Sequence, residues 1–189
     1  MVTAILFILL FGLAQRMNCD SDVVYKLKNI ICSTEPKYST NASCRVKAIN
    51  WNRSEAKMDV DLVRPMRNIS VRFQILKKDY TNQYQPFLID VQINMCSILA
   101  RQNFSPYGII LKRVTSKFTN FNHSCPFEGH IIARNIYLDQ EVLPNNFPLG
   151  FYKLNITVYE VYSMNMEYAG HIIWFIQAMK PIKISKKPK

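Results

Sequence analysis

Cysteine is the residue type in this sequence with the most distinctive chemistry. There are five: Cys19, Cys32, Cys44, Cys96 and Cys125. No CxxC or HxxxH pair accompanies them, so their spacing does not favour a zinc site. Four remain if a leader ending at Cys19 is removed, an even number that suits disulfides in an oxidising compartment. Of the three possible pairings, we favour the one between sequence neighbours, Cys32–Cys44 and Cys96–Cys125, because it closes short loops.

Histidines and carboxylates do not form a recognisable catalytic pattern. The three histidines, His123, His130 and His171, are scattered along the chain. Asp59 and Asp61 share one face of a predicted strand, as a glycosidase pair could, but a solvated outer face explains them more simply. No G-x-S-x-G, dinucleotide-binding, Walker, EF-hand or HExxH pattern is present. We therefore expect a protein that is not an enzyme, with no catalytic residue, no metal site and no cofactor.

The N-terminus predicts the compartment. An apolar block, Ala4–Ala14, is followed by the polar residues QRMNCDSD. The block has the length of a signal-peptide h-region and is too short to span a membrane. We therefore assign residues 1–19 to a signal peptide, 20–180 to a single β-rich domain and 181–189 to a Lys-rich tail. The predicted location is secreted and extracellular, without a membrane span.

Six Asn-x-Ser/Thr sequons agree with secretion. The sequon at Asn103 is doubtful because Pro106 follows its serine. The remaining five predict a glycoprotein, with sugars at Asn41, Asn52, Asn68, Asn122 and Asn155.

The composition indicates a globular protein with a basic surface. Of 189 residues, 49% are hydrophobic, and 24 Lys and Arg against 13 Asp and Glu give a formal charge of +11. The five glycines exclude collagen-like and Gly-rich chains. Secretion and the spread of the basic residues argue against a nucleic-acid partner. Such a surface suits attraction to anionic membranes, glycans or an acidic partner, and solubility alone explains it equally well.

Alternation of apolar and polar residues predicts mostly strands. It is clearest in Met58–Leu62, Asn68–Leu76, Phe87–Met95 and Phe151–Tyr159. Further strand candidates are Val24–Ile31, Ser43–Asn50, Gly129–Tyr137 and Gly170–Met179, and Asn52–Glu55 is predicted to be the turn of a hairpin. About eight short strands with little helix indicate a mainly β protein, an antiparallel β-sandwich or cup.

One or two short helices are expected between Cys96 and Cys125. Ser97–Asn103 and Tyr107–Thr119 lack alternation, and the second segment has Ile109, Ile110, Val114 and Phe118 at helical spacing. Pro106 suits the first turn of this second helix.

The surplus of aromatic residues raises the question of a cavity. Bulky apolar inner faces of two sheets can separate and hold a hydrophobic small molecule, although periodicity alone favours a filled core equally. The inward positions that would line such a cavity are Phe73, Ile75, Phe87, Ile89, Val91, Tyr152, Leu154, Ile156 and Trp174.

Seven motifs follow one another along the chain: NIIC (29–32), CRVKAINW (44–51), MDVDL (58–62), VRFQILKKD (71–79), YQPFLIDVQINMC (84–96), FNHSCP (121–126) and LPNNFPLGFYKLNITV (143–158). Their order resembles an insect family of small secreted proteins of unknown function. That family is similar to the CheA/CheB chemosensory proteins and distantly similar to the ganglioside activator and the ML-type lipid-recognition fold.

The resemblance implies a lipid-recognition-like cup that binds a lipid or hydrocarbon without transforming it, in chemosensation or pheromone response. It also implies bridges at Cys32–Cys44 and Cys96–Cys125. The family has no established ligand-contacting motif, so the resemblance assigns no binding residue. A cell-surface receptor is a further expected partner. The alternative is an extracellular protein-binding module that acts through its basic surface and has no ligand cavity.

Overall fold

The structure is a computed structural model that describes residues 23–100, 105–138, 147–163 and 165–182. The predicted signal peptide and residues 183–189 of the predicted tail lie outside the described residues. The predicted fold class is confirmed: two antiparallel sheets pack as a sandwich, with two short helices between Cys96 and Cys125.

Eight strands carry the fold, as the alternation predicts. In chain order they are β1 (Val24–Thr34), β2 (Ser39–Ala48), β3 (Ser54–Leu62), β4 (Ile69–Lys78), β5 (Tyr84–Asn94), β6 (His130–Ile136), β7 (Gly150–Val161) and β8 (Met166–Met179).

The strands form one wide and one narrow sheet. The wide sheet has the order β1-β8-β7-β4-β5, and the narrow sheet has the order β2-β3-β6. A disulfide joins Cys32 of β1 to Cys44 of β2, with their Cα atoms 6.1 Å apart. It therefore ties one edge of the wide sheet to one edge of the narrow sheet.

The helices are α1 (Met95–Leu99) and α2 (Pro106–Phe118). Helix α1 is shorter than the predicted Ser97–Asn103, and residues 101–103 lie outside the described residues. The Cys96–Cys125 disulfide, with Cα atoms 5.3 Å apart, ties α1 to the segment that follows α2. Neither described helix is long and apolar enough to cross a membrane.

The turn between β2 and β3 lies earlier than Asn52–Glu55. The side-chain oxygen of Asn50 accepts hydrogen bonds from the backbone N–H groups of Asn52 and Arg53, both at 2.8 Å. An asparagine that bonds the backbone two and three residues ahead fixes a tight turn. The turn is complete at Arg53, and Ser54 already belongs to β3.

Gly170 is a position where β8 approaches β1 closely. A Cβ atom at this residue would lie 2.7 Å from the backbone oxygen of Ser33 and 3.3 Å from the Cα of Thr34. Because both neighbours are backbone atoms of a paired strand, they cannot turn aside as a side chain could. Glycine is therefore required here for the β1–β8 pairing.

We expect Gly170→Ala to destabilise the fold by about 1–3 kcal/mol through this overlap. For a chain of this size, the melting temperature would fall by roughly 3–10 °C, measured by circular dichroism. Ser163→Ala, at an exposed turn, is the control and should leave the melting temperature unchanged. Equal melting temperatures for Gly170→Ala and the wild type would contradict the close approach.

Candidate functional site

An apolar cavity of about 560 Å³ lies between the inner face of the wide sheet and helix α2. Its volume is within the range of about 300–1,000 Å³ typical of small-molecule sites. The described residues that line it are Phe73, Ile75, Leu88, Ile89, Val91, Tyr107, Ile110, Leu111, Val114, Phe118, Ile136, Tyr137, Leu138, Phe147, Leu154, Ile156, Trp174 and Ile176.

Helix α2 leaves this space because it is attached at its two ends. At its start, Ser105 caps the helix by accepting from the Gly108 N–H at 3.1 Å, and Gly108 packs against Ile98 of α1. After its end, the Asn120 side chain donates to the His130 backbone oxygen at 2.7 Å and accepts from the Ile132 N–H at 2.8 Å. Between these attachments the helix faces the wide sheet across the cavity.

Seven of the nine predicted lining residues contact the cavity: Phe73, Ile75, Ile89, Val91, Leu154, Ile156 and Trp174. Phe87 and Tyr152 are not part of the lining. Their rings instead pack against Phe147, at centroid distances of 6.0 and 5.6 Å, and Phe147 does line the cavity. The two residues therefore pack against the lining residue Phe147 and do not line the cavity themselves.

The helical side of the lining was not predicted. Tyr107, Ile110, Leu111, Val114 and Phe118 form a stripe with three- and four-residue spacing on one face of α2. Of the four residues with predicted helical spacing, Ile110, Val114 and Phe118 line the cavity, whereas Ile109 does not and is 51% exposed. The three- and four-residue spacing of the stripe indicates one face of a helix, but it does not indicate that this face borders a cavity.

The cavity opens between β5 and the start of α2. Leu88 and Tyr107 are the lining residues with exposed side chains, at 77% and 39%. Leu88 has a φ of 59°, a left-handed backbone that is unusual for leucine. It lies where the β4–β5 register shifts, because Gln74 pairs with Asp90 while Leu76 pairs with Pro86. This bulge turns Leu88 out to the mouth.

The described lining contains no charged side chain. Its side-chain polar atoms are the hydroxyls of Tyr107 and Tyr137 and the indole N–H of Trp174, which is buried without a hydrogen-bond partner among the described residues. Behind the wall, burial raises the pKa of Tyr152 to about 12, and its hydroxyl donates to the Pro148 oxygen at 2.5 Å. The interior is therefore suited to an uncharged, mainly apolar molecule.

Basic side chains lie over the aromatic rings around the cavity. The Arg53 guanidinium carbon is 3.9 Å from the centre of the Tyr137 ring, and the Lys117 ammonium is 4.9 Å from the same ring. The Lys77 ammonium lies 5.6 Å from the Phe87 ring. These cation–π contacts hold positive charge outside the apolar interior.

A second, smaller cavity of about 200 Å³ lies toward the other end of the sandwich. Three alternate residues of β3, Met58, Val60 and Leu62, contribute to its lining. These two apolar spaces have no described lining residue in common, and the one under α2 is the larger of the two.

The carboxylate pair considered for catalysis binds a histidine on the narrow sheet. His130 Nδ1 is 2.5 Å from the Asp61 carboxylate, and its Nε2 is 3.5 Å from Asp59. The hydrogen bond to Asp61 raises the pKa of His130, and bonds from Asn41 and His130 lower the pKa of Asp61. All of these groups are exposed or half-exposed. Among the described residues, no three His, Cys, Asp or Glu side chains are grouped to hold a metal ion.

The five predicted glycosylation sites lie in strands and loops. Asn41 and Asn122 are exposed, whereas Asn52, Asn68 and Asn155 are half-buried. The Asn155 side-chain oxygen is buried and has no hydrogen-bond partner among the described residues. Glycosylation at all five stays a prediction.

Comparisons with known proteins give a partial match. The family described as "protein of unknown function (DUF1091)" matches residues 71–154. This segment contains all of the described cavity lining except Ile156, Trp174 and Ile176. The search of curated proteins found no match.

Among the solved structures similar to the chain is a Niemann-Pick type C2 protein from the Japanese carpenter ant. The match covers 83% of this chain and 93% of that one, with 13% sequence identity and a TM-score of 0.31.

The His130–Asp61 contact predicts a pH-dependent stability. The raised pKa of His130 stabilises the fold fully below the ordinary histidine value of 6.5, and this contribution is lost as pH rises through the raised pKa. The lowered pKa of Asp61 stabilises the fold above the ordinary value of 3.8, and this contribution is lost as pH falls through the lowered pKa. Asp61→Asn should therefore reduce the urea midpoint most between these two values.

The same substitution should lower the His130 pKa, measured by NMR titration of the ring. Asp59→Asn is the matched control and should lower it less, because Asp59 lies farther from the ring. An unchanged His130 pKa in Asp61→Asn would contradict the assignment.

Proposed function

We propose that this protein binds a hydrophobic small molecule, a lipid or hydrocarbon, in the cavity under α2 and does not transform it. The observation that carries the proposal is the cavity of about 560 Å³ with an uncharged, apolar lining. Protein interiors are normally packed without voids of this size, because empty space loses dispersion contacts on every side. A bound apolar molecule would restore those contacts.

The energetics favour a chain-like ligand. Burying a methylene group is worth about 0.8 kcal/mol before the costs of ordering and immobilisation are subtracted. The lining supplies no charged partner for a carboxylate or phosphate, so a polar head group would lie at the mouth near Leu88 and Tyr107. The alkyl portion would occupy the space between Trp174 and the α2 stripe.

We also propose that the chain acts after secretion, as a glycoprotein. The apolar block Ala4–Ala14 and the sequons support this proposal, and disulfides such as Cys32–Cys44 and Cys96–Cys125 persist in oxidising compartments. A role in chemosensation or pheromone response, with a cell-surface receptor as a further partner, is the finer proposal that rests on the family resemblance.

Native mass spectrometry of the secreted, deglycosylated protein tests the proposal. A hydrophobic-ligand binder should carry, or take up on incubation, an adduct with the mass of a lipid or hydrocarbon. Organic extraction would then identify its class. A protein that stays ligand-free after incubation with fatty acids and long-chain hydrocarbons would overturn the proposal and favour the protein-binding alternative.

Filling the cavity should weaken ligand binding strongly without unfolding the protein. We expect Val114→Phe, which extends a ring from α2 into the cavity, to weaken binding of the neutral fluorophore N-phenyl-1-naphthylamine at least tenfold. The melting temperature of the ligand-free variant should be unchanged or higher, because the ring fills empty space.

Val60→Phe is the matched control, since Val60 lines the smaller cavity. It should leave fluorophore binding unchanged. Unchanged binding in Val114→Phe, or equal losses in both variants, would show that the cavity under α2 is not the site.

A further inference from the structure

The β2–β3 and β4–β5 turns present apolar side chains to solvent at the same end of the sandwich. Trp51 is 64% exposed and Tyr80 is 97% exposed, the highest value among the exposed large hydrophobic side chains. Ile49 and Leu149, close to these turns, are 47% and 49% exposed. Single exposed apolar side chains are ordinary, whereas several grouped at one end, with aromatic rings at the tips of turns, are a candidate interaction surface.

Backbone contacts fix these residues at one end. The Lys26 ammonium donates to the Trp51 backbone oxygen at 2.9 Å, which ties the β2–β3 turn to the start of β1. Asn52 exchanges two hydrogen bonds with the backbone of Ile182, just after β8. In the wide sheet, β7 lies between β8 and β4, and its start therefore places Leu149 between the two turns.

The same end is basic. Lys77 and Lys78 end β4 beside the Tyr80 turn, and Lys180 follows β8. Within the described part of the chain, none of these three lysines forms a salt bridge with a carboxylate.

Two carboxylates lie at the same end. Glu55 pairs with Arg53 at 2.6 Å, and Asp79 accepts from the Thr81 hydroxyl at 2.6 Å, a bond that leaves its negative charge in place. Lys77, Lys78 and Lys180 outnumber Asp79, so these residues give the end a net positive charge beside the exposed aromatic tips.

We propose that this end is a docking face for an anionic lipid surface. The docking face consists of Ile49, Trp51, Tyr80 and Leu149, with Lys78 and Lys180 beside them. Trp and Tyr are suited to the membrane–water boundary because one side of the ring is apolar and the other carries a hydrogen-bonding group. Lysines next to them attract anionic head groups. A lipid surface fits this end better than an acidic protein does, because the side chains of Trp51 and Tyr80, on two separate turns, can insert side by side between lipid head groups.

The docking face is distinct from the cavity, and its position suggests how the two relate. Arg53, next to the Trp51 turn, lies over Tyr137 of the lining, and Leu88 of the mouth lies on the same hairpin as Tyr80. A chain docked through this end would have its cavity mouth near the lipid surface. Docking itself does not depend on whether the cavity binds a ligand.

Co-sedimentation with phosphatidylcholine vesicles, with and without phosphatidylserine, tests the proposal. The full secreted chain is used with its own glycans, so that any sugar on Asn52, next to Trp51, is present during the measurement. We expect binding only to vesicles that contain phosphatidylserine, weakened by added salt, with a blue shift of Trp51 emission. Trp51→Phe should abolish that shift, because the remaining Trp174 is 5% exposed.

Two double variants should each weaken vesicle binding about tenfold or more. Trp51→Ser/Tyr80→Ser removes the aromatic tips, and Lys78→Gln/Lys180→Gln removes charge. The apolar control is Ile31→Ser/Val63→Ser, exposed residues away from this end. The charge control is Arg67→Gln/Arg134→Gln, exposed residues outside the docking face.

The controls should bind vesicles as the wild type does. Absence of binding to phosphatidylserine vesicles, or equal losses in test and control variants, would overturn the proposal. Binding of N-phenyl-1-naphthylamine is measured in every variant and should be unchanged, since none of the altered residues lines the cavity. Failure of docking and failure of ligand binding are therefore observed separately.

Discussion

The inner face of the wide sheet is larger than the narrow sheet that packs against it, and the space that remains must be covered. The disulfide between β1 and β2 places the narrow sheet against the β1 side. The apolar faces of β4, β5 and β7 would otherwise meet water, which is unfavourable in proportion to their area. Helix α2 covers them in place of the fourth and fifth strands that the narrow sheet lacks. Because the helix lies at a distance from the wide sheet, a cavity remains between the two.

The helix has a defined position although it does not pack tightly on the sheet. Its start is fixed by the Gly108–Ile98 contact and its end by Asn120, which bonds the edge of β6. The Cys96–Cys125 disulfide closes the whole helical segment. Because the attachments are at the ends, the middle of the helix contributes side chains to the lining without the close backbone approach that would fill the space.

Much of the sheet side of the site could be predicted from the sequence, because strand periodicity determines which residues face inward. Phe73, Ile75, Leu154 and Ile156 follow directly from the alternation of β4 and β7. Alternation cannot distinguish a residue that contacts empty space from one that packs on a neighbour. For that reason Phe87 was assigned to the lining although its ring packs on Phe147.

The mouth and the helical wall were beyond the reach of sequence patterns. Leu88 lies at a bulge whose existence depends on the register between β4 and β5, and register is a property of the paired strands. In α2, Ile109 and Ile110 are equally apolar, so residue type does not show which of them faces the sheet. The structure places Ile110 in the cavity lining and Ile109 outside it. The turn at Asn50 depends on one side-chain oxygen that accepts hydrogen bonds from two backbone N–H groups. Asparagine favours such a turn, but the sequence alone does not show at which residue the turn begins.

The bulge at Leu88 also affects how copies of the chain meet one another. Strand β5 is an edge of the wide sheet, and a regular edge strand offers unpaired backbone groups to which a strand of a second molecule can add. The left-handed backbone at Leu88 interrupts that row, and Pro86, two residues earlier, has no N–H to donate. The feature that opens the cavity to solvent therefore also protects this edge against intermolecular strand addition and aggregation.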